Sequence, residues 1–274
     1  MKIIVADTAG FCFGVERAVR IATEGVIESR CVLGSLVHNS EIISEVKKKG
    51  IAFENEPKEI YSEFVISAHG VPSFFDEKLT GKKVLDATCP RVKRVFAIAS
   101  NCINDVCFLF VGNSKHVETQ NALSYAENYV LLSNDFVDER ALSEASKPKY
   151  SKYVLAFQTT TRRSIAVAYS EKAKAVFGAS VEITNTLCPS VEKRVLESIE
   201  IAKRVDSMIV IGDKTSANCK TLYLECKAVN ENTFFVENEI KINLEGFGVV
   251  GVTAGASVPK SQIERILELL KRLE

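Results

Sequence analysis

Three short segments far apart in the chain share one pattern: Cys12-Phe-Gly-Val15-Glu-Arg17, Cys89-Pro-Arg-Val92-Lys-Arg94 and Cys188-Pro-Ser-Val191-Glu-Lys193. In each, a valine stands three residues after the cysteine, a charge four after and a base five after. Each segment opens a stretch of helical periodicity. The next β-branched run in each copy ends in glycine, and the fourth residue beyond that glycine is polar: Gly34 leads to His38, Gly112 to His116 and Gly212 to Ser216. The cysteine-to-polar intervals are 26, 27 and 28 residues. A third run in each copy enters a small or polar cluster, SAHG (67–70), QTTT (158–161) and TAGAS (253–257), in looser register. A repeat of this kind means that one supersecondary unit is built three times and stacked on its copies.

The unit is α/β. Short β-branched runs, KIIVA (2–6), CVLG (31–34), FVIS (64–67), VCFLFVG (106–112), YVLAF (153–157), SMIVIG (207–212) and FGVVGV (247–252), alternate with helical stretches such as 15–29 and 190–205. In the first of these, Val15, Ala18, Val19 and Ala22 recur at one helical face. Alternation of this kind gives parallel sheets. The expected architecture is three similar small α/β domains, 1–80, 81–179 and 180–274, with mainly parallel sheets around a pseudo-threefold axis. The last closes with an amphipathic helix over 260–274. Ligands of open α/β sheets bind beyond the carboxyl ends of the strands, where the cysteines and polar clusters fall, so a central metal-cluster cavity is expected.

Lys plus Arg and Asp plus Glu both number 35, so no broad positive field is available for nucleic acid or an anionic membrane. No apolar stretch approaches the ~20 residues that cross a bilayer, and the first residues carry no secretory pattern. A cytoplasmic location is expected, with the eight cysteines reduced. Their spacing matches no common zinc pattern. Two tempting motifs fail on context. Gly246-Phe-Gly248-Val-Val-Gly251 runs into a strand rather than opening a helix, and Lys214-Thr215 follows Asp213 rather than a glycine.

Cys12, Cys89 and Cys188 each precede a helix, two of them with proline next, which favours the metal-binding thiolate. Structural zinc closes its tetrahedron with four protein ligands. Three thiolates suit a [4Fe–4S] cluster that keeps one iron open for chemistry. Cys31, Cys102, Cys107, Cys219 and Cys226 lack counterparts and read as buried. Around the trio, His38, His69 and His116, with Ser216, Asn218 and Ser257, are donors suited to phosphate or diphosphate. Glu118 is the one carboxylate among them and the best general-acid candidate. Thr159 relays or orients a proton, or caps a turn.

With these residues in hand, the chain resembles the LytB/IspH family of isoprenoid biosynthesis, the 4-hydroxy-3-methylbut-2-enyl diphosphate reductases. The resemblance runs through GFCFGVERA (10–18), LVHNSEI (36–42), SAHGVP (67–72), DATCPRV (86–92), KHVET (115–119), FQTTT (157–161), TLCPSVEKR (186–194), KTSANCKTL (214–222) and GVTAGASVP (251–259). It implies three α/β domains around one [4Fe–4S] cluster held by Cys12, Cys89 and Cys188. It implies diphosphate contacts at His38, His69, His116, Ser216, Asn218 and Ser257, a proton-donating Glu118 and an assisting Thr159. Two positions depart from the family pattern. Ala217 replaces the second serine before the asparagine, leaving only its backbone N–H to donate, and Val117 replaces a proline.

The implied reaction is reductive dehydroxylation of an allylic diphosphate to isopentenyl and dimethylallyl diphosphate at the open iron, with electrons from a partner such as ferredoxin or flavodoxin. Two other classes share parts of the pattern. One is an iron–sulfur lyase similar to quinolinate synthase, which would need carboxylate clamps. The other is a non-enzymatic iron–sulfur redox sensor, which would need an output module.

Overall fold

In the computed structural model of the chain, residues 1–25, 28–147, 150–240 and 242–272 are described. The strands are β1 (Lys2–Val5), β2 (Arg30–Leu33), β3 (Ala52–Glu54), β4 (Glu63–Ile66), β5 (Lys83–Asp86), β6 (Val106–Val111), β7 (Tyr129–Leu132), β8 (Lys152–Phe157), β9 (Val181–Ile183), β10 (Ser207–Ile211), β11 (Thr233–Val236) and β12 (Val249–Ala254). The α-helices are α1 (Phe13–Thr23), α2 (Ser40–Lys48), α3 (Phe75–Lys78), α4 (Pro90–Ser100), α5 (Val117–Ser124), α6 (Glu139–Ala145), α7 (Arg163–Phe177), α8 (Pro189–Ala202), α9 (Ala217–Lys227) and α10 (Lys260–Lys271). They build three four-stranded sheets, ordered β3-β2-β4-β5, β7-β6-β8-β9 and β1-β12-β10-β11. Every pairing is parallel. The α/β class with parallel sheets is therefore the observed one.

All six inner strands, β2, β4, β6, β8, β10 and β12, coincide with apolar runs of the sequence. The reason is visible on the β6–β8 pair. Phe108, Phe110, Val154 and Ala156 face one way and pack on Val92, Val95, Phe96 and Ala99 of α4 and Ala122 of α5. Leu109, Val111, Leu155 and Phe157 face the other way onto Leu142 of α6 and Ala166, Tyr169 and Ala173 of α7. A parallel strand buried on both faces reads as an unbroken apolar run. Each fully buried phenylalanine contributes roughly 2–3 kcal/mol. The Tyr169 hydroxyl is satisfied too, accepting from the Asp138 N–H at 2.8 Å and donating to the Phe136 carbonyl at 3.2 Å.

The chain divides into two compact units. One comprises Met1–Thr23, Val37–Gly50 and Pro189–Glu274 and holds the sheet β1-β12-β10-β11. Its N-terminal strand pairs with the last strand, Lys2 opposite Val249 through Val5 opposite Val252. The third sheet thus takes its fourth strand from the start of the chain. Ile209, Ile211, Val250 and Val252 pack on Ile263, Ile266 and Leu270 of α10.

The other unit comprises Glu24–Leu36 and Ile51–Cys188 and holds the remaining two sheets. These are tied together by short polar bridges. The Ser73 N–H donates to Ser124 Oγ at 2.9 Å, and the Asn121 amide donates to the carbonyls of His69 and Gly70 at 3.2 and 3.0 Å. Gly70 has φ +74°, and a Cβ there would lie 2.3 Å from the Phe96 ring, so this junction requires glycine.

The stretch expected to be helical over 15–29 ends at Thr23, and residues 26–27 lie outside the described residues. The closing helix ends at Lys271, with 273–274 likewise outside. Among the described residues no helix is long and apolar enough to cross a membrane.

Candidate active site

The repeat is reproduced bond for bond beyond the strand ends. After each innermost strand, the glycine N–H donates to the end of the adjacent edge strand: Gly34 to Glu54 at 2.8 Å, Gly112 to Leu132 at 2.9 Å and Gly212 to Val236 at 2.9 Å. On the other side of each sheet, the cysteine N–H donates into the neighbouring loop. Cys89 reaches the carbonyl of Ala68 at 3.0 Å, Cys188 that of Thr159 at 2.9 Å and Cys12 that of Ala256 at 3.2 Å. Each acceptor stands two residues past the end of its strand, β4, β8 or β12. The three clusters that looked loose in sequence are therefore in strict structural register. Their spacing varies only because the connections through β3, β7 and β11 differ in length.

This register also finds a residue the sequence reading did not single out. Thr160 occupies the position held by His69 and Ser257 in the other two loops, and its Oγ1 accepts from the Gln158 amide at 3.1 Å. Counting from strand ends rather than between cysteines would have identified it.

The polar residues after the glycines are less uniform than their spacing suggests. His116 and Ser216 are the N-caps of α5 and α9, each preceded by a turn closed by a backbone bond to Asn113 or Asp213. In the first repeat the cap of α2 is Asn39, so His38 precedes the cap instead of forming it.

The cysteines separate into two groups. Cys31, Cys102, Cys107, Cys219 and Cys226 are buried. Burial pushes their thiols up, to about 11 for Cys31 and Cys102 and about 12 for Cys107 and Cys226, which keeps them protonated and inert. Cys12, Cys89 and Cys188 are half-buried, and each immediately precedes a helix. Each of the three thus stands at the positive end of a helix. Half-buried thiols in these equivalent loops have the soft-donor chemistry of iron–sulfur ligands, which the five buried thiols do not offer.

In the unit that holds residues 51–188, Glu118 and Thr159 form a closed pair. The Thr159 N–H donates to Glu118 Oε1 at 2.7 Å, and the Thr159 hydroxyl donates to Oε2 at 2.7 Å. Burial pushes the Glu118 carboxyl up to about 7, although both Thr159 bonds pull it down. The Glu118 N–H in turn donates to His116 Nδ1 at 3.2 Å, and the His116 and His69 rings meet edge-on with centroids 5.7 Å apart. His69, Cys89, His116, Glu118, Thr159 and Cys188 thus share this unit.

The other unit carries Cys12, His38, Ser216, Ala217, Asn218 and Ser257. The Ser257 hydroxyl donates to the His38 carbonyl at 2.8 Å. Burial pushes the His38 imidazole below its ordinary range, partly opposed by Asp213. Asn218 is buried at 6% exposure, and among the described residues neither its amide nitrogen nor its oxygen has a hydrogen-bond partner. A buried, unsatisfied amide costs about 1–3 kcal/mol, so such a group points to a ligand that completes it. Ala217 opens α9, where a helix start leaves the N–H without an intrahelical acceptor.

These matched loops on three parallel sheets define an α/β protein with a repeated, thiol-bearing site. A model of the family described as LytB protein matches residues 3–271, and the chain belongs to that family. Membership implies an iron–sulfur cluster. The chain is 34% identical to the 4-hydroxy-3-methylbut-2-enyl diphosphate reductase of Geotalea uraniireducens, covering 100% of this chain and 98% of that protein. It is 33% identical to the enzyme of the same name from Oleidesulfovibrio alaskensis, covering 100% of both.

A solved structure of (E)-4-hydroxy-3-methyl-but-2-enyl diphosphate reductase, described as the terminal enzyme of the non-mevalonate pathway, superposes with TM-score 0.70. It is 30% identical and is covered over 99% of this chain and 100% of that one. The Plasmodium falciparum reductase structure superposes with TM-score 0.87 at 22% identity, over 98% of this chain and 88% of that one, a likeness of fold.

Proposed function

We propose that this chain reduces 4-hydroxy-3-methylbut-2-enyl diphosphate to isopentenyl and dimethylallyl diphosphate, the terminal step of the non-mevalonate pathway. The observation that carries the chemistry is the buried Glu118 carboxyl, held by Thr159 and pushed up to about 7. The reaction breaks one C–O bond, forms one C–H bond and consumes two electrons and two protons, releasing water. A carboxylic acid poised near neutral pH is suited to protonating the departing hydroxyl. Thr159 grips both carboxyl oxygens and so fixes the orientation of that acid.

In this reading Cys12, Cys89 and Cys188 would hold the iron–sulfur cluster, which would supply Lewis acidity and electrons. The diphosphate falls to His38, His69, His116, Ser216, Asn218 and Ser257, with Thr160 added by its position and the Ala217 N–H standing in for a hydroxyl. Asn218 supports this part directly, because its amide has both a donor and an acceptor to offer. The electrons come from a one-electron carrier protein such as ferredoxin or flavodoxin.

Glu118→Gln tests the assignment. The variant should keep its cluster absorption and lose turnover by about 100-fold or more, in the range that general acid catalysis contributes. A non-catalytic redox sensor would instead keep its full response, and turnover unchanged in the variant would remove Glu118 from the reaction.

A further inference from the structure

We infer that Gln262, in the first turn of α10, is a positioning residue for the diphosphate-binding His38. The hydrogen bonds of the Gln262 side chain run to Asn39, Glu237 and Asn238, none of them a proposed substrate contact. Its side chain is buried, and each of its polar atoms is engaged. Gln262 Oε1 accepts from the Asn39 amide at 3.0 Å. Gln262 Nε2 donates to the Glu237 carbonyl at 2.7 Å and to Asn238 Oδ1 at 3.2 Å.

Asn39 follows His38 directly and is buried as well. Its Oδ1 caps α2 by accepting from the Ile42 N–H at 3.1 Å. The amide of Asn39 therefore does two jobs: its oxygen starts the helix, and its nitrogen fastens that start to α10. On the other side of His38, the carbonyl is held by the Ser257 hydroxyl at 2.8 Å. Ser257 sits in the loop that runs into α10. Both ties on the His38 backbone thus lead to the same end of the same helix. That helix is fixed to the sheet by Ile263, Ile266 and Leu270. A second link, Arg265 to Glu41 at 2.8 Å, joins the first turn of α2 to α10 further along.

A cap alone would not need this arrangement. Serine, aspartate and asparagine cap about equally well, but asparagine's amide nitrogen donates to Gln262 while its oxygen still caps. The geometry fits a residue chosen to set where His38 lies, beyond simply starting α2. Misplacement of a binding group by a fraction of an ångström is enough to weaken substrate binding severalfold or more.

This inference rests on the reading of His38 as a diphosphate contact, and its test separates the two. The cluster-loaded full chain is compared with Gln262→Ala, Asn39→Ser and the double variant, measuring kcat, KM and the Kd for inorganic diphosphate. The expected result is a roughly tenfold rise in KM and in diphosphate Kd for each single variant, with kcat within about twofold. The double variant should be no worse than either single one, because the two residues act through one link. A lower melting temperature with KM and Kd unchanged would overturn the inference and leave Gln262 a packing residue. Should Gln262→Ala not fold, Asn39→Ser, which keeps the cap, decides alone: unchanged KM and Kd overturn the inference. If the wild-type chain itself neither binds diphosphate nor turns over the substrate, the parent reading fails first.

Discussion

Glu118 and Asn218 are the two residues whose energetics oppose their function most openly. Glu118 is buried with its carboxyl near 7. In the folded chain it therefore holds a proton between about pH 4.5 and 7 that the unfolded chain has released. Stability falls as pH rises through that window and stays low above it. Glu118→Gln should thus gain stability relative to the parent as pH rises from 5 to 8, by on the order of 3 kcal/mol, read from paired denaturation curves. A difference that stays constant with pH would contradict the raised carboxyl. For the same reason kcat/KM should decline above about pH 7, where the acid is lost.

Asn218 makes a simpler case. Removing an amide with no partner should leave the melting temperature unchanged or higher, while raising KM for the diphosphate tenfold or more. Asn218→Ala, melted and assayed side by side, checks both halves. Trading stability for a binding group is the usual bargain at a functional site.

At the scale of elements, the loops are shaped by what packs beneath them. A Cβ on Gly255 would lie 2.0 Å from Cys219 Sγ, with the Cys219 Cβ itself at an ordinary 3.6 Å. Gly255→Ala should therefore cost roughly 2–3 kcal/mol, and adding Cys219→Ala should restore most of it. Chemical denaturation of the three variants settles this, and an unrecovered double variant would mean that the backbone, not the sulfur, sets the limit.

The same scale shows what the sequence could and could not reveal. Inner strands were legible because helices cover both faces, as at Phe108–Val111. Among the edge strands β3, β5, β7, β9 and β11 went unread, being three or four residues long and only partly apolar. The cysteine repeat was legible because the loop chemistry is copied three times. Thr160 and Gln262 were not, since one is visible only after counting from strand ends and the other acts through Asn39, 223 residues away in sequence.

For the whole molecule, the three sheets carry equivalent cysteines but the chain is not three beads on a string. β1 belongs with β10, β11 and β12, so the N-terminal cysteine loop is built on the C-terminal sheet. Replacing Cys12, Cys89 or Cys188 by serine should each lower bound iron well below about four per chain. Serine at Cys31, Cys102, Cys107, Cys219 or Cys226 should leave it intact. Iron analysis of anaerobically reconstituted protein distinguishes the two groups.

The most direct test of the account is turnover. The anaerobically loaded chain is supplied with 4-hydroxy-3-methylbut-2-enyl diphosphate and a low-potential artificial reductant. Release of isopentenyl and dimethylallyl diphosphate with consumption of two electrons per molecule is the predicted result. A fully loaded cluster that leaves this substrate untouched would contradict it.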